Sequence, residues 1–461
     1  MEQYRVHRDS LGEVRVPADK YYGAQTQRAV ENFPISGLRL PRRFIRAQGI
    51  IKAAAARANR ECGELSPDLA DAIISAAEEV IQGKWDDHFV VDVYQAGAGT
   101  SQNMNANEVI AGRAAELLGG KPGDMSLVHP NDHVNRGQST NDTIHVAINI
   151  AAAEGLVHEC IPAASALAGA LWKKAEAFHP IIKSGRTHLQ DAVPMRLGQE
   201  FEGYAASLEE AVEDLKKVLP DLYRIGLGGN AVGTGINTHP DYARLAIEDI
   251  AKRTGLPFVP ARNRFAFMQN TGAAFKTSAA LKGLAIRLSK LASDLRLLSS
   301  GPRTGLAEIR LPAVQPGSSI MPGKVNPVMA EMMNMVCCQV IGNDAAITSA
   351  GEMSQLEINV MMPVIAHNLL QSIQILTNAM NAFQERLVEG IEADPKRCRD
   401  WLEQSLALAT ALNPVIGYDR AAEVAKKAYR EGKTIRQVVV EEGLLSEEEA
   451  DRVLDVRRMV P

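Results

Sequence analysis

Aromatic side chains are scarce in this chain, at 5% of 461 residues. Its core therefore has to be filled by aliphatic groups. Ala, Leu, Met, Glu and Arg are plentiful, a composition that favours helices. Cysteine is sparse as well. Cys62, Cys160, Cys337, Cys338 and Cys398 are an odd, scattered set. That argues against a disulfide framework and lacks the spacing of zinc ligands, so no metal is expected. A strong charge of one sign is also missing. The net charge is −5 and no dense Lys/Arg cluster stands out, which makes nucleic acid and membrane surfaces poor partners. No uninterrupted apolar run reaches bilayer length. Met1-Glu2-Gln3-Tyr4-Arg5 opens no apolar run either, so the expectation is a cytoplasmic protein without a secretory signal.

What is present is helical periodicity. The length predicts roughly two to four domains. Leu281, Leu284, Leu288, Leu291, Leu295 and Leu298 recur at spacings of three and four, a coiled-coil-like seam. A helix over residues 275–299 would be roughly 35–40 Å long. Further long helices are expected over 142–178, 197–219, 327–350 and 356–387, with Pro363 kinking the last. Cys337-Cys338 lie in the apolar stretch of one of them and read as packing residues. Such apolar helices suit a bundle shared between subunits. Beyond residue 394 the texture changes to short helices with cap signals at Thr434 and at Ser446 with Glu449. The predicted division is an N-terminal domain over 1–138, a central long-helix domain over 139–393 and a small helical domain over 394–461.

Four segments are dense in small polar groups. The first, 99–107, reads as a glycine-rich turn capped by Thr100 or Ser101. The second runs from His129 to Asp142, and its Ser139-Thr140-Asn141 suits a helix N-cap, which is also an anion site. In the third, Lys183 to Pro194, His188 is flanked by Thr187, Arg186 and Asp191, groups that could orient a catalytic imidazole. The fourth is Gly317-Ser318-Ser319-Ile320-Met321-Pro322-Gly323-Lys324-Val325-Asn326-Pro327. Its glycines predict flexible ends, and Lys324 and Asn326 are a point charge and a neutral donor for a carboxylate.

The fourth segment resembles the signature loop of the fumarase/aspartase superfamily of lyases. The other three match that superfamily's remaining active-site regions in the same order. The resemblance implies a mostly α, three-domain lyase fold with a long central helical bundle, shared in a homotetramer whose active sites draw on different subunits. It implies reversible anti-elimination from a C4 dicarboxylate to fumarate through an aci-carboxylate, with no cofactor. It also assigns roles. Ser318 resembles the base. Lys324 and Asn326 would bind a carboxylate. Thr100, Ser101, Ser139, Thr140 and Ser319 would hold the carboxylate beside the abstracted proton. Asn141, Thr187 and His188 would surround the leaving group, with Glu331 as partner to the histidine. His129, Asn131 and Asp132 resemble a secondary dicarboxylate site.

The leaving group is less plainly marked. Ser139-Thr140-Asn141, Leu297-Leu298-Ser299-Ser300, Gln269-Asn270-Thr271 and Gln355-Leu356-Glu357 look like the ammonia-lyase form. Asn237-Thr238-His239-Pro240 and Gly228-Gly229 are similar to the hydratase form. The motifs thus favour deamination of L-aspartate, with hydration of fumarate to L-malate as the alternative. A non-catalytic structural member is the remote alternative.

Overall fold

The long apolar patterns of the sequence become long helices. The structure is a computed structural model that describes residues 3–122 and 124–460. Helices run over Leu197–Leu222, Gly272–Leu298, Val328–Glu352 and Met362–Arg386, and a further one over Thr140–Phe178 with one π-helical turn at Leu156–Cys160. All six leucines of the seam are buried. Each contributes about 1.5–3 kcal/mol of transfer free energy, and truncating one to alanine costs about 2–5 kcal/mol.

Two expectations change. The helix expected from residue 356 begins at Met362, so Pro363 sits in its first turn, where its missing N–H costs nothing, and kinks no helix. The residues before it form a turn instead. Leu356 is left-handed, and the buried Asn359 side chain donates to the carbonyls of Ala350 and Gly351 while accepting from the Met361 N–H. Secondly, Thr140–Phe178 is long and apolar enough to cross a bilayer, but 78% of its most apolar window is buried inside the protein, as in a core helix. Of the thiols, Cys160, Cys337 and Cys398 are buried, Cys62 is half-buried, and Cys338 is exposed rather than packed.

The chain divides into two compact units. The first comprises Met1–Pro162, Val212–Ala285 and Cys337–Thr377; the second comprises Ala163–Ala211, Ile286–Val336 and Asn378–Pro461. In the first, helices Arg42–Glu61, Pro67–Ile81 and Thr100–Leu117 pack through faces rich in alanine, with Ile45, Ile73, Val109 and Ile110 between them. A short helix, Ala24–Asn32, precedes them in the chain. Its signal lies eighty residues away. The buried Glu108 carboxylate accepts from the N–H groups of Gly23, Gln25 and Thr26, and so caps it.

In the second unit, Leu412, Val424, Ile435, Val438 and Val439 form a small core. Thr434 with Gln437 and Ser446 with Glu449 make the capping boxes of its short helices, and the left-handed Gly443 follows the first of them. This unit also carries an antiparallel hairpin, Ile182–Thr187 with Gln190–Arg196.

Candidate functional site

In the first unit, two helix N-termini meet. One begins at Thr100, the other at Thr140, and Gly99 lies against Ile144 so closely that a side chain there would have to displace it. The first is not capped by Thr100 or Ser101. The oxygen is supplied from upstream, where Gln95 Oε1 accepts from the Gln102 N–H at 2.7 Å. Thr100 is exposed and donates to the Gly97 carbonyl at 3.1 Å, while Ser101 is buried. The second N-terminus is capped as expected. Ser139 Oγ accepts from the Asn141 N–H, and Asp142 reaches back to the Ser139 N–H at 3.0 Å, completing a capping box. Asn103 Nδ2 donates to Thr140 Oγ1 at 3.1 Å, and Asn141 Nδ2 donates to the Ala231 carbonyl at 2.8 Å. The Ser139 and Thr140 oxygens are therefore occupied as acceptors, which leaves their protons to donate to an anion at the dipole-positive end of the helix.

Beneath these residues lies a polar floor that the sequence reading missed. Lys52 is fully buried and donates to Asn103 Oδ1, Asn135 Oδ1 and Gln138 Oε1 at 3.0, 2.9 and 2.9 Å. Asp142, also fully buried, accepts from the N–H groups of Gly228 and Asn230. Burial pushes Lys52 down to about 7 and Asp142 up to about 6, each toward its neutral form, with their mutual attraction opposing. The available signal was a lone lysine inside the apolar run Ile50-Ile51-Lys52-Ala53-Ala54.

One turn along the helix from Asn141, His145 bonds the Met268 carbonyl at 3.0 Å. Burial pushes its pKa down to about 4. Between that value and the ordinary 6.5 the unfolded chain binds more protons, so folding stability falls as pH drops through this window. The loss from this one residue amounts to about 3 kcal/mol. His145→Gln should flatten this limb of the stability–pH curve, measured by urea unfolding at neutral and acid pH. An unchanged slope would show that His145 is not the group responsible.

In the second unit, His188 occupies the tip of the hairpin. Thr187 pairs with Gln190, and His188 and Leu189 both have positive φ, at 55° and 59°. That is a two-residue type I′ turn, which matches the twist of a hairpin but usually takes Asn-Gly. Two bulky residues held left-handed carry strain of the kind found at functional sites. Arg186 does not orient His188. Its guanidinium grips Glu308 at 2.8 and 3.1 Å, and Lys183 reaches the same carboxylate at 2.8 Å and Glu200 at 2.7 Å. Glu308 is fully buried, so strand Ile182–Thr187 is held along its length by a buried ion cluster while the tip of the hairpin is exposed.

The signature loop is also in the second unit. Pro322-Gly323 forms a turn closed by the Lys324 N–H on the Met321 carbonyl at 3.2 Å, with Gly323 at φ 79°, the pattern of a type II turn. Gly317, expected as a flexible end, is required for another reason. A side chain there would lie 2.6 Å from the Lys324 carbonyl oxygen. Its N–H donates to that carbonyl at 2.9 Å, and Asn326 Nδ2 donates to the Gly317 carbonyl at 2.7 Å. Ser318 Oγ accepts from the N–H groups of Ile320 at 3.3 Å and Met321 at 3.0 Å. Ser319 and Lys324 are exposed, and Lys324 has no partner among the described residues. Glu331 is half-buried in the first turn of Val328–Glu352, a favourable place for an acid, and makes no bond to His188 within the chain.

Pro130–Val134 form one π-helical turn, with His129 as its N-cap. His129 Nδ1 accepts from the Asp132 N–H at 3.1 Å and lies 3.2 Å from the Asp132 carboxylate, while Asn131 is exposed. Asp132 thus engages Nδ1 of the imidazole and leaves Nε2 as its other polar atom.

The four motifs divide between the units. Thr100, Ser101, Ser139, Thr140 and Asn141 belong to the first; Thr187, His188, Ser318, Ser319, Lys324, Asn326 and Glu331 belong to the second. A family described as "Lyase" matches residues 12–342, and one described as "Fumarase C C-terminus" matches 408–461. The chain belongs to the fumarase/aspartase superfamily of lyases. A class II fumarate hydratase of Halobacterium salinarum is 55% identical over 99% of this chain and 97% of its own. An aspartate ammonia-lyase of a Bacillus species is 49% identical over 99% and 97%. The crystal structure of class II fumarase from Schistosoma mansoni superposes with a TM-score of 0.96 at 38% identity, covering 99% of each chain. The mostly helical superfamily fold is thereby established, and so is the lyase family.

Proposed function

We propose that the chain catalyses the reversible hydration of fumarate to L-malate. The observation that carries this reading is the 55% identity to the Halobacterium salinarum class II fumarate hydratase over almost the whole of both chains. Other class II fumarate hydratases, from Thermus thermophilus and Neisseria meningitidis, stand at 50% and 51%. This outweighs the motif preference for ammonia release. Ser139-Thr140-Asn141 cannot discriminate by itself, because the cap and the Asn103 bond fix the backbone and the acceptors whichever hydroxyl residue stands at 140.

In this proposal Ser318 removes the proton beside a carboxylate, and its oxyanion is held by the two amides that already point at it. Lys324 and the remaining N–H of Asn326 bind one carboxylate. Ser139, Thr140, Ser319 and Thr100 donate to the other, Thr100 after turning away from Gly97, with Ser101 buried behind it. Asn141, Thr187 and His188 surround the hydroxyl, and Glu331 of another subunit would back His188. The second reading, aspartate ammonia-lyase, keeps the 49% identical Bacillus enzyme on its side. Following fumarate by ultraviolet absorbance should show product from L-malate and none from L-aspartate. Turnover of aspartate alone would reverse the choice.

We also propose a homotetramer. The helix Val328–Glu352 buries one face, through Ala330, Met333, Cys337 and Val340, yet exposes Met335 and Ile341 on another. Ile286 and Leu297 are likewise exposed on Gly272–Leu298. Faces of this kind are covered by other copies in a shared bundle. Light scattering that returned the mass of a single 49.9 kDa chain would refute the assembly.

A further inference from the structure

A cleft of about 330 Å³ in the first unit contains none of the residues assigned above to the reaction. Its wall is the start of the helix Gly272–Leu298, the segment 261–271 with its short helix Arg264–Gln269, and one side of the helix that begins at Thr140. Several features there point to an anion. The amides of Gly272 and Ala273 open a 27-residue helix and have no intrahelical acceptor, so they present donors at the positive end of its dipole. A Cβ added to Gly272 would meet nothing within 4 Å, so a ligand can approach the backbone. Thr271, also in the wall, is 5% exposed and its buried hydroxyl has no partner.

Charge adds an independent indication. Arg224, Arg262 and Lys276 line the cleft. The one carboxylate there, Asp221, is shared between Arg224 at 3.1 Å and Lys276 at 2.6 Å. Arg262 is exposed and has no ion-pair partner among the described residues. Three cations against one carboxylate leave two positive charges, the complement of a dianion. Asn263 and Asn270 lie in the same wall. The cleft is roomier than a bare tetrahedral ion, and Phe267 and Ile148 give it an apolar side.

We propose that this cleft is a binding site for a small dianion of the phosphate class, held by the Gly272–Ala273 amides, Thr271, Arg262 and Lys276. A tetrahedral oxyanion can accept from several converging N–H and O–H donors at once, which is what helix N-termini provide. The apolar side leaves space for the organic body of a monoester. His145 also lines the cleft, one helical turn from Asn141, so a bound anion would sit against the helix whose N-terminus carries Thr140 and Asn141.

Titration calorimetry of the full-length protein at low salt, with inorganic phosphate and separately with methyl phosphate, tests the site. Saturable binding is expected, weakened roughly tenfold or more in Arg262→Ala and again in Lys276→Ala, and retained in Lys324→Ala. Arg262 is exposed and unpaired, so its replacement leaves the fold intact. Tighter binding of methyl phosphate would identify a monoester, and equal binding the free ion; either sustains the site. No binding by the wild type, undiminished binding in Arg262→Ala, or loss in Lys324→Ala alone would overturn it.

Discussion

Ser318→Ala is expected to lower turnover of L-malate by roughly 10²–10⁴-fold while leaving the fold intact, the range of a positioned general base. An ordinary serine hydroxyl is a poor base, and what improves it here is geometric. The Ile320 and Met321 amides already point at Oγ, so the charge that appears on proton loss meets donors that need no reorganisation. The loop that supplies them is closed on itself by Gly317, Lys324 and Asn326, which keeps the donors in place when the side chain is cut back. Circular dichroism should therefore match the wild type. Activity within a few-fold of wild type would eliminate Ser318 as the base. Mixing Ser318→Ala subunits with His188→Ala subunits should restore part of the activity, because some mixed sites would contain both intact residues. Confirmed mixed tetramers without recovery would count against a site shared between chains.

Glu308→Ala should produce the largest loss of stability, about 3–5 kcal/mol in urea unfolding. The carboxylate is fully buried between Lys183 and Arg186. Its removal leaves two cations, with Glu200 as the remaining ion-pair partner of Lys183 among the described residues. Glu308→Gln should cost less, since an amide oxygen can still accept from one of them. The same change should lower activity, because strand Ile182–Thr187 carries Lys183 near its start and Arg186 two residues before His188. An unfolding curve that superimposed on the wild type would mean that the cluster adds nothing net.

Much of this fold is legible as periodicity. The leucine seam, the capping box at Ser446 and the N-caps at Thr434 and Ser139 depend on residues a few positions apart, and the structure has them where the pattern puts them. The four polar segments are legible as well, because small polar residues with glycines are conspicuous among apolar helices. The misses have a common cause in long-range partners. Glu108 caps a helix that starts at Ala24, Gln95 caps one across a turn, and Glu308 takes the arginine that the sequence places beside His188. The effect of Pro363 depends on where the helix starts, and the turn around Asn359 that sets this start has no periodic signal. The leaving group is hard to read for a different reason: hydroxide and ammonia leave from the same carbon between the same two carboxylates, so the residues that hold those carboxylates carry little information about it.

The closed loop around Ser318 has a thermodynamic consequence. Ordering a free ten-residue segment over a substrate would cost about 1–2 kcal/mol for every residue fixed. Here the two ends are already joined, through the Lys324 carbonyl and the Asn326 amide, and Pro322-Gly323 fixes the far turn. Most of that entropy is lost when the protein folds. Movement over a ligand is then the swing of a preformed ring about its attachments, and the affinity that would have been spent on ordering the loop remains available for the transition state.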